Sequence, residues 1–108
     1  MSMGETEYVI YLDEAQRDRY RHFHRTERGQ VVLFRVQYEA LIEQQWVAIV
    51  RYDTAHGVPH RDVMHPDGSQ TKEQFPHYSR AHVLTMGQRD IRQNWRTYRA
   101  RHYEEETR

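Results

Sequence analysis

Apolar and polar residues alternate along the middle of the chain with the period of two that is typical of β-strands. Two segments show this pattern, and each has a face that is mostly apolar. In residues 31–42 that face carries Val32, Phe34, Val36, Tyr38 and Ala40. In residues 45–53 it carries Trp46, Ala48, Val50 and Tyr52. The second segment also has apolar residues on its other face, which predicts a central strand.

Shorter segments predict further strands on either side of this pair. Residues 8–12 are rich in β-branched and aromatic residues, and residues 18–26 form the first arm of a hairpin. The sequence Glu-Arg-Gly at 27–29 supplies its turn, with Gly29 available for positive φ. Residues 60–65 predict a short strand. After the Pro-Asp-Gly-Ser turn, residues 70–75 could add a last arm.

The pattern changes to a helical one after Pro76. Ser79 is a suitable N-cap residue for a helix over 80–103. Steps of three and four residues place one apolar stripe on this helix: Leu84, Met86 or Gly87, Ile91, Trp95, Tyr98 and His102. Gly87 is the position where the helix could kink, because glycine is a poor helix former.

Strands followed by one helix predict an α+β fold. We expect an antiparallel meander of four to five strands with the long C-terminal helix packed across one face. A length of 108 residues fits a single domain over 1–108, with residues 1–7 and 104–108 frayed.

The amino-acid composition excludes several kinds of functional site. The chain has no cysteine, which excludes disulfides, cysteine zinc sites and a thiol nucleophile. Its formal net charge is zero, which argues against a nucleic-acid clamp that involves the whole molecule. Fifteen of the sixteen basic residues are arginine, whose planar fork suits phosphate and carboxylate. No apolar run is long enough to span a membrane and no signal peptide is present, so a cytoplasmic protein is expected.

The candidate chemistry lies in residues 51–65, which hold three of the eight histidines. His60 and Asp62 share a strand face, His56 lies in the preceding loop, and Arg51 and Asp53 end the neighbouring strand. One hypothesis makes His56 or His60 a general acid or base oriented by Asp53 or Asp62, with Arg51 as an anion clamp, for metal-independent RNA cleavage by the ribose 2′-hydroxyl.

Two other interpretations of the same segment stay open. His56, His60 and Asp62 offer two nitrogens and one oxygen to a divalent metal, although their spacing is no specific metal signature. In the other interpretation, the segment is a structural hairpin that is held by its own hydrogen bonds and binds no cofactor.

Arginines elsewhere are candidates for contacts with phosphates. Arg61 lies within the histidine segment, and Arg89, Arg92 and Arg96 form a row along the predicted helix. Arg21 and Arg25 share a face of the first hairpin arm that could face RNA. An ordinary solvated edge strand is the alternative for that arm.

The stretch "RYDTAHGVPHRDVMHPDG", followed by "RDIRQNWRTYRARHYE", resembles a family of small uncharacterised prokaryotic domains. More distantly, "RYD" followed by histidines is similar to TumE-type toxins of toxin–antitoxin systems, which have asparagine where this chain has Thr54. The likeness to the toxins implies an RNA-targeting activity that a partner antitoxin neutralises, with Arg51, Asp53, His56, His60 and Asp62 at the working surface.

We therefore expect a toxin-like protein of a toxin–antitoxin or defence system that targets RNA. The alternative is a non-catalytic interaction module that binds a protein or nucleic-acid partner through its sheet or its arginine-bearing helix.

Overall fold

A computed structural model of the protein describes residues 3–107. Within them lie six strands and one helix: β1 (Met3–Tyr11), β2 (Asp18–Glu27), β3 (Gln30–Ile42), β4 (Gln45–Asp53), β5 (His60–Met64), β6 (Gln70–Gln74) and α1 (Arg80–Glu106). The strands form one antiparallel sheet in chain order. Helix α1 packs on β3 and β4, which confirms an α+β meander. No helix in this described range is long and apolar enough to cross a membrane.

The sheet has six strands, so the prediction of four to five strands is wrong. The difference lies in the outermost strands, whose sequences show little of the hydrophobic alternation that predicts a strand. All five residues of β6 are exposed and polar. At the other edge, the expected fraying of residues 1–7 does not hold for Met3–Glu7, which pair with β2 as part of β1. Helix α1 likewise continues three residues beyond its predicted end, to Glu106.

Strand β2 is an interior strand, so the interpretation of its sequence as a solvated edge strand is wrong. It pairs with β1 on one side and β3 on the other. Its helix-side residues Tyr20 and His22 are buried, and the Tyr20 hydroxyl lies 2.7 Å from His22 Nδ1. Burial, followed by the neighbouring His24, lowers the pKa of His22 to about 4. A polar sequence therefore contributes to the core through buried, hydrogen-bonded side chains.

The two faces of the sheet differ in chemistry. We call the face under α1 the helix face and the other the open face. The alternation in β3 is confirmed, since Phe34, Val36, Tyr38 and Ala40 are all buried on the helix face. The open face of the same strand carries polar side chains that begin the candidate site: Arg35, Gln37 and Glu39.

A β-bulge changes the parity of β4. Tyr38 pairs with Val50 and the next residue, Glu39, pairs with Ala48, so Ile49 is an extra residue without a direct partner. A bulge of this kind shifts all residues on one side of it to the other face. Trp46 therefore lies on the open face, where the Arg19 guanidinium stacks 3.9 Å from its ring. The prediction that Trp46 shares a face with Tyr52 is wrong for this reason.

Helix α1 begins where the sequence predicts. The Ser79 side chain accepts a hydrogen bond from the backbone N–H of His82 at 3.1 Å, which is N-capping geometry. The buried residues of α1 match the predicted stripe: Val83, Leu84, Gly87, Ile91, Trp95, Tyr98 and His102. The predicted helix and its orientation toward the sheet are both confirmed.

A buried polar network ties α1 to the sheet. The hydroxyls of Tyr52 and Tyr98 both donate to Asp90 Oδ2, at 2.7 Å and 2.5 Å. Asn94 donates to the other oxygen of the same carboxylate at 2.8 Å. An arginine of the sheet, Arg61, donates to the Tyr98 hydroxyl at 3.0 Å.

Gly87 allows close packing between helix and sheet instead of kinking the helix. A Cβ atom built at this position would lie 2.8 Å from Cγ of Tyr52. Tyr52 cannot easily yield, because its ring is buried and its hydroxyl is bonded to Asp90. The glycine is therefore required by the contact between α1 and β4.

We expect Gly87→Ala to lower the free energy of unfolding by about 1–3 kcal/mol, as overpacking of a core does. Alanine is the better helix former by about 1 kcal/mol, so propensity alone predicts the opposite sign. Urea denaturation of the two proteins measures the difference. Ala100→Gly, at an exposed position of the same helix, is the reciprocal control and should be destabilising through propensity alone. A Gly87→Ala protein more stable than wild type would contradict the close-contact explanation.

Candidate functional site

The pairing of β4 with β5 assembles the predicted residues on the open face. Arg51 lies directly opposite Asp62, and Asp53 lies opposite His60. Because residues two apart on a strand share a face, all four side chains project from the same side of the sheet. Asp53, His60 and Asp62 are buried even though no second layer covers this side. We call these three residues the Asp–His–Asp cluster.

His60 occupies the centre of the Asp–His–Asp cluster. Its Nε2 lies 2.9 Å from Asp53 Oδ1 and 3.2 Å from Asp62 Oδ2. Its Nδ1 lies 3.0 Å from the backbone carbonyl oxygen of Val58. Since a carbonyl oxygen only accepts, Nδ1 carries a proton and donates it. Both ring nitrogens of His60 are thus engaged within the protein.

Two basic residues flank the cluster. Arg35 donates to Asp53 Oδ2 through Nε at 3.2 Å and through its terminal amine at 3.1 Å. The Lys72 ammonium lies 3.4 Å from Asp62 Oδ1. Each buried carboxylate therefore places one oxygen toward the imidazole and the other toward a basic side chain, which compensates the cost of burying it.

The same three residues are the ones that could hold a metal ion. One ligand atom from each of Asp53, His60 and Asp62 lies within 4.8 Å of the others, and the bond from His60 Nδ1 to a backbone carbonyl is common in metal-ligating histidines. The set includes Asp53 in place of His56, which the sequence proposed as a ligand. The flanking Arg35 and Lys72 already provide positive charge at this position.

Other residues predicted for the site lie elsewhere. His56 is exposed in the loop after β4, with φ of 66°. Arg61 projects from the helix face, where it bonds to Tyr98 and forms an ion pair with Glu73 at 3.1 Å. Arg89, Arg92 and Arg96 are exposed on α1, on the opposite side of the sheet from the Asp–His–Asp cluster. The predicted arginines thus form two separate surfaces.

An open depression of about 650 Å³ lies beside the cluster on the open face. We call it the arginine basin, after the three arginines in its lining, which is formed by Glu7, Tyr8, Val9, Arg21, His22, Phe23, Arg35, Gln37, Glu39 and Arg51. Arg21 and Arg35 are half-exposed, whereas Glu39 is largely buried. Of these three residues the two arginines are therefore the more accessible, and Glu7 in the same lining is exposed as well.

Unlike Arg21 and Arg35, Arg51 forms no ion pair of its own with the residues that the structure describes. Its Nε donates to Gln37 Oε1 at 2.7 Å, and Gln37 is held in turn by a hydrogen bond to Glu39. Within residues 3–107, the terminal nitrogens of Arg51 make no hydrogen bond. Burial, followed by the nearby positive charge of Arg35, lowers the pKa of the Arg51 guanidinium. The nearby carboxylates of Asp53, Asp62 and Glu39 act in the opposite direction, and a bound anion would add to their effect.

Sequence reasoning did not assign Arg35, Gln37 and Glu39 to the site. The alternation in β3 does place them on the face away from the core. What it could not supply is their distance from Arg51, which depends on the pairing of Gln37 with Arg51 across the sheet.

The family model for a domain of unknown function (DUF7718) matches residues 3–108, and the chain belongs to this family. This agrees with the resemblance of the sequence to a small uncharacterised domain. No curated protein and no solved structure matches the chain. The more distant likeness to TumE-type toxins is not supported by these comparisons, and it stays a prediction.

Proposed function

We propose that the protein targets RNA and binds its phosphates through the arginine basin. The observation that carries the proposal is the convergence of Arg21, Arg35 and Arg51 in an open depression where Arg51, within residues 3–107, forms no ion pair of its own. Arginine binds phosphate oxygens through two parallel hydrogen bonds. The electrostatic cost of bringing Arg51 close to Arg35 falls when an anion binds between them.

The shape of the basin favours a single-stranded ligand. It is open, it lies on the face of a six-stranded sheet, and its lining includes the half-buried ring of Phe23. Aromatic rings beside basic groups on an open sheet offer stacking positions for unpaired bases. A double helix has its bases paired and stacked, and could contact such a surface only through its backbone.

Binding is supported better than proton transfer by His60. A general base needs a ring nitrogen within reach of the substrate, and both nitrogens of His60 already face groups of the protein. We assign the Asp–His–Asp cluster the role of positioning Arg35 through Asp53. If the protein also cleaves RNA as the resemblance to toxins implies, the exposed His56 is the histidine that could reach a ribose.

The test compares matched arginine substitutions on the two sides of the molecule. We expect Arg51→Gln and Arg21→Gln each to weaken binding of a fluorescent single-stranded RNA and to reduce the salt dependence of binding by about one unit of slope. Arg89→Gln and Arg96→Gln, which remove the same charge from the exposed helix, should leave binding nearly unchanged. Fluorescence anisotropy over a range of salt concentrations measures both quantities.

The binding results distinguish RNA recognition by the arginine basin from recognition by the arginine row of α1. Loss of binding in the helix variants alone would overturn the basin proposal and favour the arginine row of α1. Equal binding by all five proteins would overturn RNA recognition by either surface. The integrity of the RNA after incubation, with and without EDTA, tests cleavage in the same samples.

A further inference from the structure

Strand β1 is an open sheet edge whose second half, from Tyr8 to Tyr11, lacks the features that usually prevent edge-to-edge association. It is nine residues long, and within residues 3–107 no strand pairs with its outer side. Its exposed residues include Val9, Ile10 and Tyr11, which are 44%, 39% and 45% exposed. Long edge strands with apolar side chains are sites of strand addition.

The opposite edge of the sheet shows the contrast. Strand β6 has five residues, all of them exposed and polar, with Lys72 at its centre. Short edges with a lysine are protected against association. The asymmetry between the two edges therefore indicates that β1, and not β6, is made for a partner.

We infer that the partner of β1 is β1 of a second copy of this chain, paired antiparallel about a twofold axis at Val9. This register places Val9 opposite Val9 of the partner subunit, and Tyr8 opposite Ile10 of the partner subunit. The half of the strand from Tyr8 to Tyr11 contains no charged residue, and Glu7 meets the uncharged Tyr11 of the partner subunit. The edge is thus complementary to itself.

Charge disfavours a register centred nearer the start of the strand. An axis at Glu7 would bring two glutamates face to face, which destabilises a sheet. With the axis at Val9, Glu7 instead lies opposite Tyr11 of the partner subunit. Glu5 falls outside the paired segment and is already bonded to Arg25 at 2.7 Å. Because the chain has a formal net charge of zero, two copies do not repel one another at long range.

The rest of the fold leaves room for the second sheet. Helix α1 packs over β3 and β4, two strands away from the edge, so it does not obstruct an added strand. Pairing would produce one continuous sheet of twelve strands with both open faces on the same side. Since Glu7 and Val9 line the arginine basin, the two basins would then adjoin. This last consequence rests on the proposed function, whereas the dimer itself does not.

The oligomeric state in solution tests the inference. We expect the wild-type chain to sediment as a dimer at micromolar concentrations, and Val9→Lys to raise the dissociation constant at least about tenfold. Leu33→Lys is the matched control, because Leu33 is 41% exposed on β3, where it pairs with Arg25 of β2 and lies away from β1. Circular dichroism establishes that both variants are folded. A monomeric wild type, or a dimer that Val9→Lys leaves intact, would overturn the inference.

A single cysteine gives a second readout that does not depend on weakening the interface. The natural chain has no cysteine, so Val9→Cys can form a disulfide only between two copies. Residues directly opposite one another in a sheet have Cα atoms about 4.5–5.5 Å apart, which is within disulfide range. Oxidation should link Val9→Cys rapidly and Leu33→Cys slowly. Equal rates for the two variants would contradict pairing at Val9, and they would do so whether or not the protein binds RNA.

Discussion

Raising the pH from 8 to 11 should lower the free energy of unfolding by on the order of 5 kcal/mol. Tyr20, Tyr38, Tyr52 and Tyr98 are all buried, and burial is the main cause that raises the pKa of each. The pKa of Tyr98 is raised to about 12, and the other three are raised further. Each phenol therefore lowers the free energy of unfolding by about 1.4 kcal/mol for every pH unit between its unfolded and folded pKa values.

The sign of this stability change depends on which state, native or unfolded, keeps the phenolic protons at high pH. Above pH 10 the unfolded chain releases its phenolic protons, whereas the native state keeps them. Stability from these groups is complete below pH 10 and is lost as the pH rises toward the folded pKa values. A native phenolate would moreover face the Asp90 carboxylate at Tyr52 and Tyr98, and the Asp18 carboxylate at Tyr38.

Denaturant unfolding at pH 8 and at pH 11 measures the effect, with absorbance of tyrosinate following ionisation. Tyr98→Phe provides the control. It should be less stable than wild type at pH 8, and it should lose about a quarter less stability on going to pH 11. Equal stability of the wild-type protein at the two pH values would show that these phenols ionise in the native state as they do in water.

Replacing His60 by alanine should destabilise the protein by about 3–5 kcal/mol, the usual cost of removing one partner from a buried charge network. The change would leave Asp53 and Asp62 facing each other without the imidazole between them. Arg35 and Lys72 contact only the outer oxygens of these carboxylates. Thermal and urea unfolding at pH 7 would measure the loss.

His56→Ala is the matched control for this prediction. His56 is exposed and its side chain makes no hydrogen bond to the rest of the described chain, so its removal should change stability by less than about 0.5 kcal/mol. A His60→Ala protein as stable as wild type would argue against a structural role for the histidine. In that case a catalytic interpretation of His60 would become the stronger one.

The main elements of the fold could be predicted because hydrophobic periodicity is local. The alternation in β3, the N-cap at Ser79 and the stripe of α1 each depend on residues within a few positions of one another. The bulge at Ile49 could not be predicted, since it depends on the pairing of β4 with β3. Strand β6 exists because β5 offers it a partner, and its own residues have no apolar alternation.

The candidate site was partly predictable for the same reason. His60 and Asp62 share a face through the period of two, and Asp53 comes beside them through the pairing of β4 with β5. His56 lies apart because the loop after β4 holds it in a left-handed conformation, with φ of 66°. Arg61 has the opposite parity to its neighbours, so it bonds to α1. The three arginines of the basin come from three strands. Their proximity depends on how the strands pair, and no local sequence pattern predicts it.

The helix on one side and the basin on the other make the protein a scaffold whose specificity and stability can change separately. Along β3, residues of the core alternate with the polar residues of the open face, Arg35, Gln37 and Glu39. Substitutions at Arg21 therefore alter the accessible face while the packing beneath α1 stays the same. Selection, natural or in the laboratory, could remodel the ligand preference of this surface without first having to rebuild the core.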